Sequence, residues 1–250
     1  MSNTSLQQGS AIYVKHRDIV LPGDLIASGN VSVERYPYVY CVDGRCYSSV
    51  IGVAEERGEN AIRIVPLEGF YNPREEDIVI GVVEEVGVTS AILDIRAPYK
   101  GILPASEIVG KQYNPAQDPL INYVSPGDIY LAKIERFDIT RDPLLSLKGK
   151  DLGRVVDGII IEVVPTRVPR IIGRKRSMLD ILIKETQCQI VPAANGRVLI
   201  RGCPSGDHEA IAINAIKVIE NAPYIQGLTE KIREYLVVEK VRRGLVRGEG

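Results

Sequence analysis

Near residue 150 the apolar pattern of this 250-residue chain changes period, so the sequence reads as more than one module. Upstream, short β-branched runs alternate with Gly, Pro and Asp turns: Ile12-Tyr13-Val14, Tyr36-Pro37-Tyr38-Val39-Tyr40, Ser48 to Val53 and Ala61 to Val65. Strands at that spacing predict small barrels or sandwiches. Downstream, Val155 to Val164 reads as one strand and Ser177 to Glu185 has a helical period. Cys188 to Val191 and Arg197 to Ile200 read as short strands. Asp207 to Asn221 reads as a helix, apolar at Ile211, Ala215, Ile216 and Ile219. A last helix is expected from an N-cap at Thr229 to about Val241, with basic residues suiting its C-terminal end.

Two polar connectors, Gly69 to Asp77 and Lys148 to Gly153, set the expected modules at residues 1–68, 69–148 and 149–250. One local pattern recurs: Val20-Leu21-Pro22-Gly23-Asp24-Leu25 and Val124-Ser125-Pro126-Gly127-Asp128-Ile129. Pro-Gly fits the centre of a type II turn, and the recurrence is read as turn chemistry used twice.

The formal net charge of −1 conceals an asymmetry. Residues 1–68 hold 6 Lys and Arg against 8 Asp and Glu, residues 69–148 hold 8 against 12, and residues 149–250 hold 17 against 12. A basic last module on an acidic chain implies a local anion-binding surface. No apolar run approaches the roughly 18 residues of a membrane span, and the first residues lack a basic and an apolar segment. A cytoplasmic protein without a membrane partner is expected.

Four cysteines lack the tight pairs of a zinc site, so no metal is expected. Cys41 and Cys46 flank Asp43-Gly44, a good hairpin turn, and would face each other across two strands. A disulfide is open to them, but in a cytoplasmic chain reduced thiols are the favoured expectation. Catalytic motifs are missing too. His16 and His208 have no evident partners, and neither G-x-S-x-G nor G-x-x-x-x-G-K-[ST] occurs. Acid pairs such as Glu84-Glu85 read as solvated rim charges. The chain is therefore expected to be no enzyme and to need no cofactor.

The strongest local signal is Val168-Pro169-Arg170-Ile171-Ile172-Gly173-Arg174-Lys175-Arg176-Ser177. Five of the ten residues from Arg167 to Arg176 are basic and none is acidic. Gly173 falls where two short helices meet, which permits close approach of a nucleic-acid backbone and offers helix N–H groups to phosphate.

This segment resembles a type I KH domain over about residues 153–222, with a G-x-x-G loop whose second glycine is Arg176. Residues 70–148 resemble an S1 domain, a five-stranded OB-fold barrel, in Asp77 to Val86, Lys100 to Glu107, Gly127 to Ile134 and Leu144 to Lys148. Where that module carries stacking aromatics, this chain has Val88-Thr89-Ser90-Ala91-Ile92-Leu93. Arg96, Tyr99, Lys100, Lys111 and Tyr113 remain as its candidate RNA contacts, beside Arg170, Gly173, Arg174, Lys175 and Arg176 of the KH segment.

A small β domain, then S1, then one KH domain resembles the KH-bearing cap subunit family of the archaeal exosome, the ribosomal RNA-processing protein four family. Asp151-Leu152-Gly153, the Val-Pro-Arg-Ile-Ile-Gly run and Asn195-Gly196 carry that resemblance. It implies a multidomain, β-rich plus α+β fold: an N-terminal small β domain, an S1-type five-stranded barrel, and a type I KH domain with a C-terminal helix. It further implies a non-catalytic cap that captures single-stranded RNA, favouring A-rich tails. Three cap copies, alone or mixed with the other cap subunit, would sit on a hexameric ring of RNase PH-like subunits that degrades RNA 3′→5′ by phosphorolysis. Residues 1–68 would dock on the ring, with Tyr36, Tyr38 and Tyr40 either at that interface or on one face of a sheet. A free-standing RNA-binding regulator of transcription or translation is the alternative, and a hidden metal-dependent hydrolase a third reading.

Overall fold

Asp43 and Gly44 both take positive φ, 49° and 73°, the backbone that lets two strands reverse with their natural twist. They join β5 (Val39–Val42) to β6 (Arg45–Ser48), with Cys41 directly opposite Cys46. The computed structural model describes residues 10–34, 38–58, 60–110, 113–222 and 227–245. It divides into two compact units, Met1–Gly69 and Phe70–Gly250.

The first unit contains β1 (Ala11–Ile12), β2 (Ile19–Val20), β3 (Leu25–Ser28), β4 (Ser32–Glu34), β5, β6, β7 (Gly52–Glu56) and β8 (Ala61–Pro66). They form two sheets, ordered β1-β3-β6-β5 and β2-β7-β8-β4. Val20, Ile26, Ala27, Val39, Ala54, Ile62 and Ile64 make the core. The expected strand from Ser48 to Val53 is instead the end of β6 and the start of β7, because Ser48 Oγ donates to the Val50 carbonyl and turns the chain there. Tyr36 lies outside the described residues. Tyr40 is exposed, its ring stacked on Tyr47 with centroids 5.5 Å apart.

In the second unit, β9 (Ile78–Val86), β10 (Ser90–Asp94), β11 (Lys100–Pro104), β12 (Ile129–Asp138) and β13 (Arg141–Ser146) pair in the order β13-β11-β10-β9-β12. An additional β12–β13 pairing closes the ring, and β11 runs parallel to β13. This is a closed five-stranded OB-type barrel, with α1 (Ala105–Ile108) following β11. Val79, Val83, Ala91, Leu93, Leu103, Ile134 and Leu145 fill it. The repeated Pro-Gly-Asp turn holds in both units. Asp24 Oδ2 accepts the Leu21 amide at 2.7 Å and Asp128 Oδ2 accepts the Ser125 amide at 2.9 Å, while Gly23 and Gly127 have φ of 93° and 92°.

The expected strand from Val155 to Val164 is two strands. β14 (Gly153–Val155) pairs with β12 on the barrel, whereas β15 (Ile159–Glu162) belongs to a separate sheet. Gly158 between them has φ of 101°, and a Cβ there would lie 2.6 Å from the Ile200 carbonyl oxygen, so the chain breaks at this glycine. Next come α2 (Val168–Ile172), α3 (Ser177–Thr186), β16 (Gln189–Pro192), β17 (Arg197–Arg201) and α4 (Gly206–Asn221). The antiparallel sheet is ordered β15-β17-β16. With α2, α3 and α4 this is the β-α-α-β-β-α order of a type I KH domain, and α5 (Leu228–Arg242) follows. The cap residue of α5 is Gly227, in the left-handed region, rather than Thr229, which lies inside the helix.

One face of the β15-β17-β16 sheet packs on the helices through Ile190, Val198, Ile200, Ile171, Leu182, Ile216 and neighbours. Its other face meets the barrel, where Leu199 and Ala193 pack with Ile80 and Leu131. The barrel and the KH-type module are therefore one packed body. Both cysteine pairs are disulfide-bonded, Cys41–Cys46 and Cys188–Cys203, so the expectation of reduced thiols is corrected. In each case two paired strands bring the residues close, with Cα atoms 4.0 and 4.3 Å apart.

Candidate nucleic-acid interface

The basic turn stands out from a rigid base. Arg174, Lys175 and Arg176 are all exposed, while Ile171 before them and Met178 and Leu179 after them are buried in the core. Gly173 has φ of 73° and ψ of 169°, a conformation only glycine adopts readily. A Cβ there would lie 2.7 Å from the Met178 amide nitrogen, so the glycine is required first by the chain's own packing. Lys175 and Arg176 are left-handed at φ of 53° and 66°. The loop thus keeps a turn backbone although Arg176 stands at the second glycine position. Arg176 Nε lies 3.8 Å from Asp180, and both side chains are largely in water, so this pair leaves the turn's charge available.

On the barrel, strand register defines one outward rung. Arg136 pairs with Leu144, Leu144 with Ile102, Ile102 with Ile92, and Ile92 with Glu85. Their sequence neighbours Ala91, Leu93, Leu103 and Leu145 point into the core, so Ile92, Ile102 and Leu144 point out. Half-buried aliphatic groups occupy the face on which OB-folds bind oligonucleotides.

A set of polar contacts that sequence reading did not identify joins the KH-type module to the barrel. Asn195, fully buried, donates through Nδ2 to the carbonyls of Ile80 at 2.8 Å and Ile95 at 3.0 Å, and its Oδ1 accepts the Ile80 amide at 3.3 Å. Arg197, 6% exposed, donates to the backbone carbonyls of Ile80 at 3.0 Å and Asp94 at 2.7 Å and pairs with the Asp94 carboxylate. Its Nε also reaches Glu162 at 3.3 Å. Burial alone would raise the Asp94 carboxyl; the Arg197 bond, the Arg96 amide and nearby Lys100 outweigh it and hold the group below its ordinary value.

Relationship to known proteins is consistent along the chain. Residues 17–68 match the family described as the exosome RNA-binding protein RRP4 N-terminal domain. The exosome complex component Rrp4 of Sulfurisphaera tokodaii is 47% identical over 228 residues, 91% of each chain. This chain belongs to the Rrp4 family. The Rrp4 of Saccharolobus solfataricus is 42% identical over 246 residues, 98% of each chain. A solved structure assigned as an exosome complex RNA-binding protein is 42% identical at a TM-score of 0.65, covering 70% of this chain and 99% of that one.

Within this Rrp4-family chain the sequence-selected residues that are described fall into two kinds, those of the basic turn and those that bond the protein itself. Arg174, Lys175, Arg176 and Gly173 make the turn. Arg170 is drawn inward, Nη1 donating to the Ala222 carbonyl at 2.8 Å at the end of α4. Arg96 also turns to the protein: Nη1 donates to the carbonyls of Val163 at 3.1 Å and Gly196 at 3.2 Å, bracing the two modules. Tyr99 donates to the Ile139 carbonyl at 3.2 Å and stacks edge-on against Phe137. The Lys100 ammonium pairs with Glu84 at 2.7 Å, which raises its pKa. Tyr113 donates to the Val88 carbonyl at 2.7 Å, and Lys111 lies outside the described residues. Both histidines, expected without partners, have them: His16 Nδ1 accepts the Glu56 amide, and His208 Nδ1 bonds Ser205 Oγ. Among the described residues no group of three or more His, Cys, Asp or Glu is placed to hold a metal, and no helix is long and apolar enough to cross a membrane.

Proposed function

We propose that this chain is a non-catalytic RNA-binding cap component of an exosome, acting in the cytoplasm. The observation that carries the reading is its 47% identity to an Rrp4 exosome component across 91% of both chains. The solved relative assigned as an RNA-binding exosome protein supports the RNA role. So does the exposed Arg174-Lys175-Arg176 turn on its packed base. In this reading the turn holds phosphates of single-stranded RNA by charge, and the rung of Ile92, Ile102 and Leu144 offers bases an apolar surface. The unit Met1–Gly69 docks the chain on a hexameric ring of RNase PH-like subunits. Three such caps, alone or mixed with the other cap subunit, gather RNA with A-rich 3′ tails and deliver it to the ring's phosphorolytic sites.

The test has two arms. Charge reversal of Arg174, Lys175 and Arg176 together should weaken RNA binding and lower the salt slope of log K by about 2, from roughly 0.7 per single-strand phosphate. Ring alone, cap alone and both together are then compared for RNA shortening in the presence of inorganic phosphate. Acceleration by the cap should be largest at low RNA concentration. RNA shortening by pure cap alone would overturn the non-catalytic reading, and an unchanged affinity and slope in the folded variant would assign the turn to a protein contact.

A further inference from the structure

Asn195 and Arg197, from the KH-type module, bond the backbone of two barrel strands, β9 at Ile80 and β10 at Asp94. Asp94, which Arg197 grips, lies two residues from Ile92 on the same outward face of β10, about 7 Å away along the strand. On the other side, the Val163 carbonyl accepts from Arg96, and the Val163 amide donates to the Gly196 carbonyl at 2.8 Å. From Val163 the chain runs through the 3-10 turn Pro165–Arg167 and the five residues of α2 to Gly173. That path is at most about 20 Å long. The Asn195-Gly196-Arg197 turn therefore bonds both the strand that carries part of the outward rung and the segment that leads to the basic turn.

The fixing is strong for its size. Asn195 and Arg197 together meet the backbone of Ile80, Asp94 and Ile95, and apolar Ala193, Leu199, Ile80 and Leu131 pack together across the same two modules. Neither residue presents a free polar group to solvent from this position, and neither is needed to build the basic turn, whose base is the separate cluster around Ile171, Met178 and Leu179.

We infer that Asn195 and Arg197 are positioning residues that make the barrel and the basic turn a single RNA-holding body, so that one strand engages both without paying for their alignment at each encounter. The inference rests on the RNA-binding reading above. Two weak surfaces held at a fixed spacing gain avidity of ~10²–10⁴ for a strand that spans them, and lose most of it when their spacing fluctuates. A strand short enough to occupy only the KH-type turn, about four nucleotides, gains nothing from the coupling.

The experiment measures binding of four-nucleotide and sixteen-nucleotide oligoadenylates to the whole chain, wild type against Asn195→Ala and Arg197→Lys. In the wild type the longer strand should bind at least ~100-fold more tightly, beyond the about tenfold expected from its greater number of registers. Both variants should keep the four-nucleotide affinity within about twofold, while their length ratio falls toward ten. The four-nucleotide affinity also reports an intact KH-type module; if Asn195→Ala loses it, the milder Arg197→Lys decides. A wild-type ratio no larger than register statistics, or an unchanged ratio in a variant that binds the short strand normally, overturns the coupling. No binding of either strand by the wild type overturns the RNA reading itself.

Discussion

The side chain of Asn195 pairs with the backbone of Ile80 in both directions, Nδ2 donating to its carbonyl at 2.8 Å and Oδ1 accepting its amide at 3.3 Å. It does for β9 what a neighbouring strand would do. The pairing of β10 with β9 ends at Asp94 opposite Val82, so Ile80 lies beyond the last rung on that side. The Ile80 carbonyl also accepts from Arg197, so removing the carboxamide takes this partner chiefly from the Ile80 amide and the Ile95 carbonyl, and buried backbone groups without partners each cost free energy. Asn195→Ala is therefore expected to destabilise the second unit by about 2–4 kcal/mol, read from the denaturant midpoint. A change below about 0.5 kcal/mol would mean that water replaces the amide at no cost.

Acid should loosen the same junction. The Asp94 carboxyl is held below its ordinary value of 3.8 in the fold, so it contributes stability that is complete above that value and lost as pH falls through the lower folded value. Asp77 has the opposite sign. Burial raises its pKa despite the hydrogen bond from Tyr71, so its contribution falls as pH rises through the folded value. Asp94→Asn should flatten the acid limb of a stability-versus-pH curve, and Asp77→Asn should steepen it. Parallel acid limbs for wild type and Asp94→Asn would show that the Arg197 pair does not set that slope.

How much was legible in the sequence depended on whether a signal was local. The Asp43-Gly44 hairpin, the Pro-Gly-Asp turns and helices α3 and α4 were readable because each is specified by residues within a few positions. The break at Gly158 was hidden because a continuous apolar run reads as one strand whether or not its halves join different sheets. The Asn195 and Arg197 junction depends on partners about a hundred residues away, and only indirect signs existed. Ile78 to Val83 is apolar at successive positions, which in an antiparallel barrel means burial on both faces. Arg197 opens a strand whose next three residues, Val198 to Ile200, are all apolar. The charge of Arg96 and Arg170 pointed to RNA, but composition does not tell whether a guanidinium reaches out or caps a carbonyl of its own chain.

The disulfides carry a direct expectation. Alkylation of the native, unreduced protein under denaturing conditions should label none of the four cysteines, and labelling after reduction should reach all four. The Cys188–Cys203 bridge spans a separation of 15 residues, for which loop-closure entropy gives roughly 3 kcal/mol. Reductant should lower the melting temperature of the second unit accordingly. Full labelling without reductant would place these cysteines as thiols in the folded chain.

Gly173 and Arg176 separate the two ways a turn of this kind can hold RNA. Gly173→Ala places a Cβ against the Met178 amide at a backbone angle that disfavours any side chain, and should cost about 2 kcal/mol or more of stability. Arg176→Gly is different. Arg176 already adopts φ of 66°, so glycine relieves about 1 kcal/mol of left-handed strain while adding a similar entropy to the unfolded chain. Its stability should stay within about 1 kcal/mol of wild type, leaving binding as the informative quantity. If charge holds the phosphates, Arg176→Gly should weaken RNA binding and lower the salt slope by roughly 0.7, the loss of one contact. Tighter binding with the reduced slope would instead show that close approach of the backbone outweighs one phosphate contact, and that the arginine limits the turn's grip.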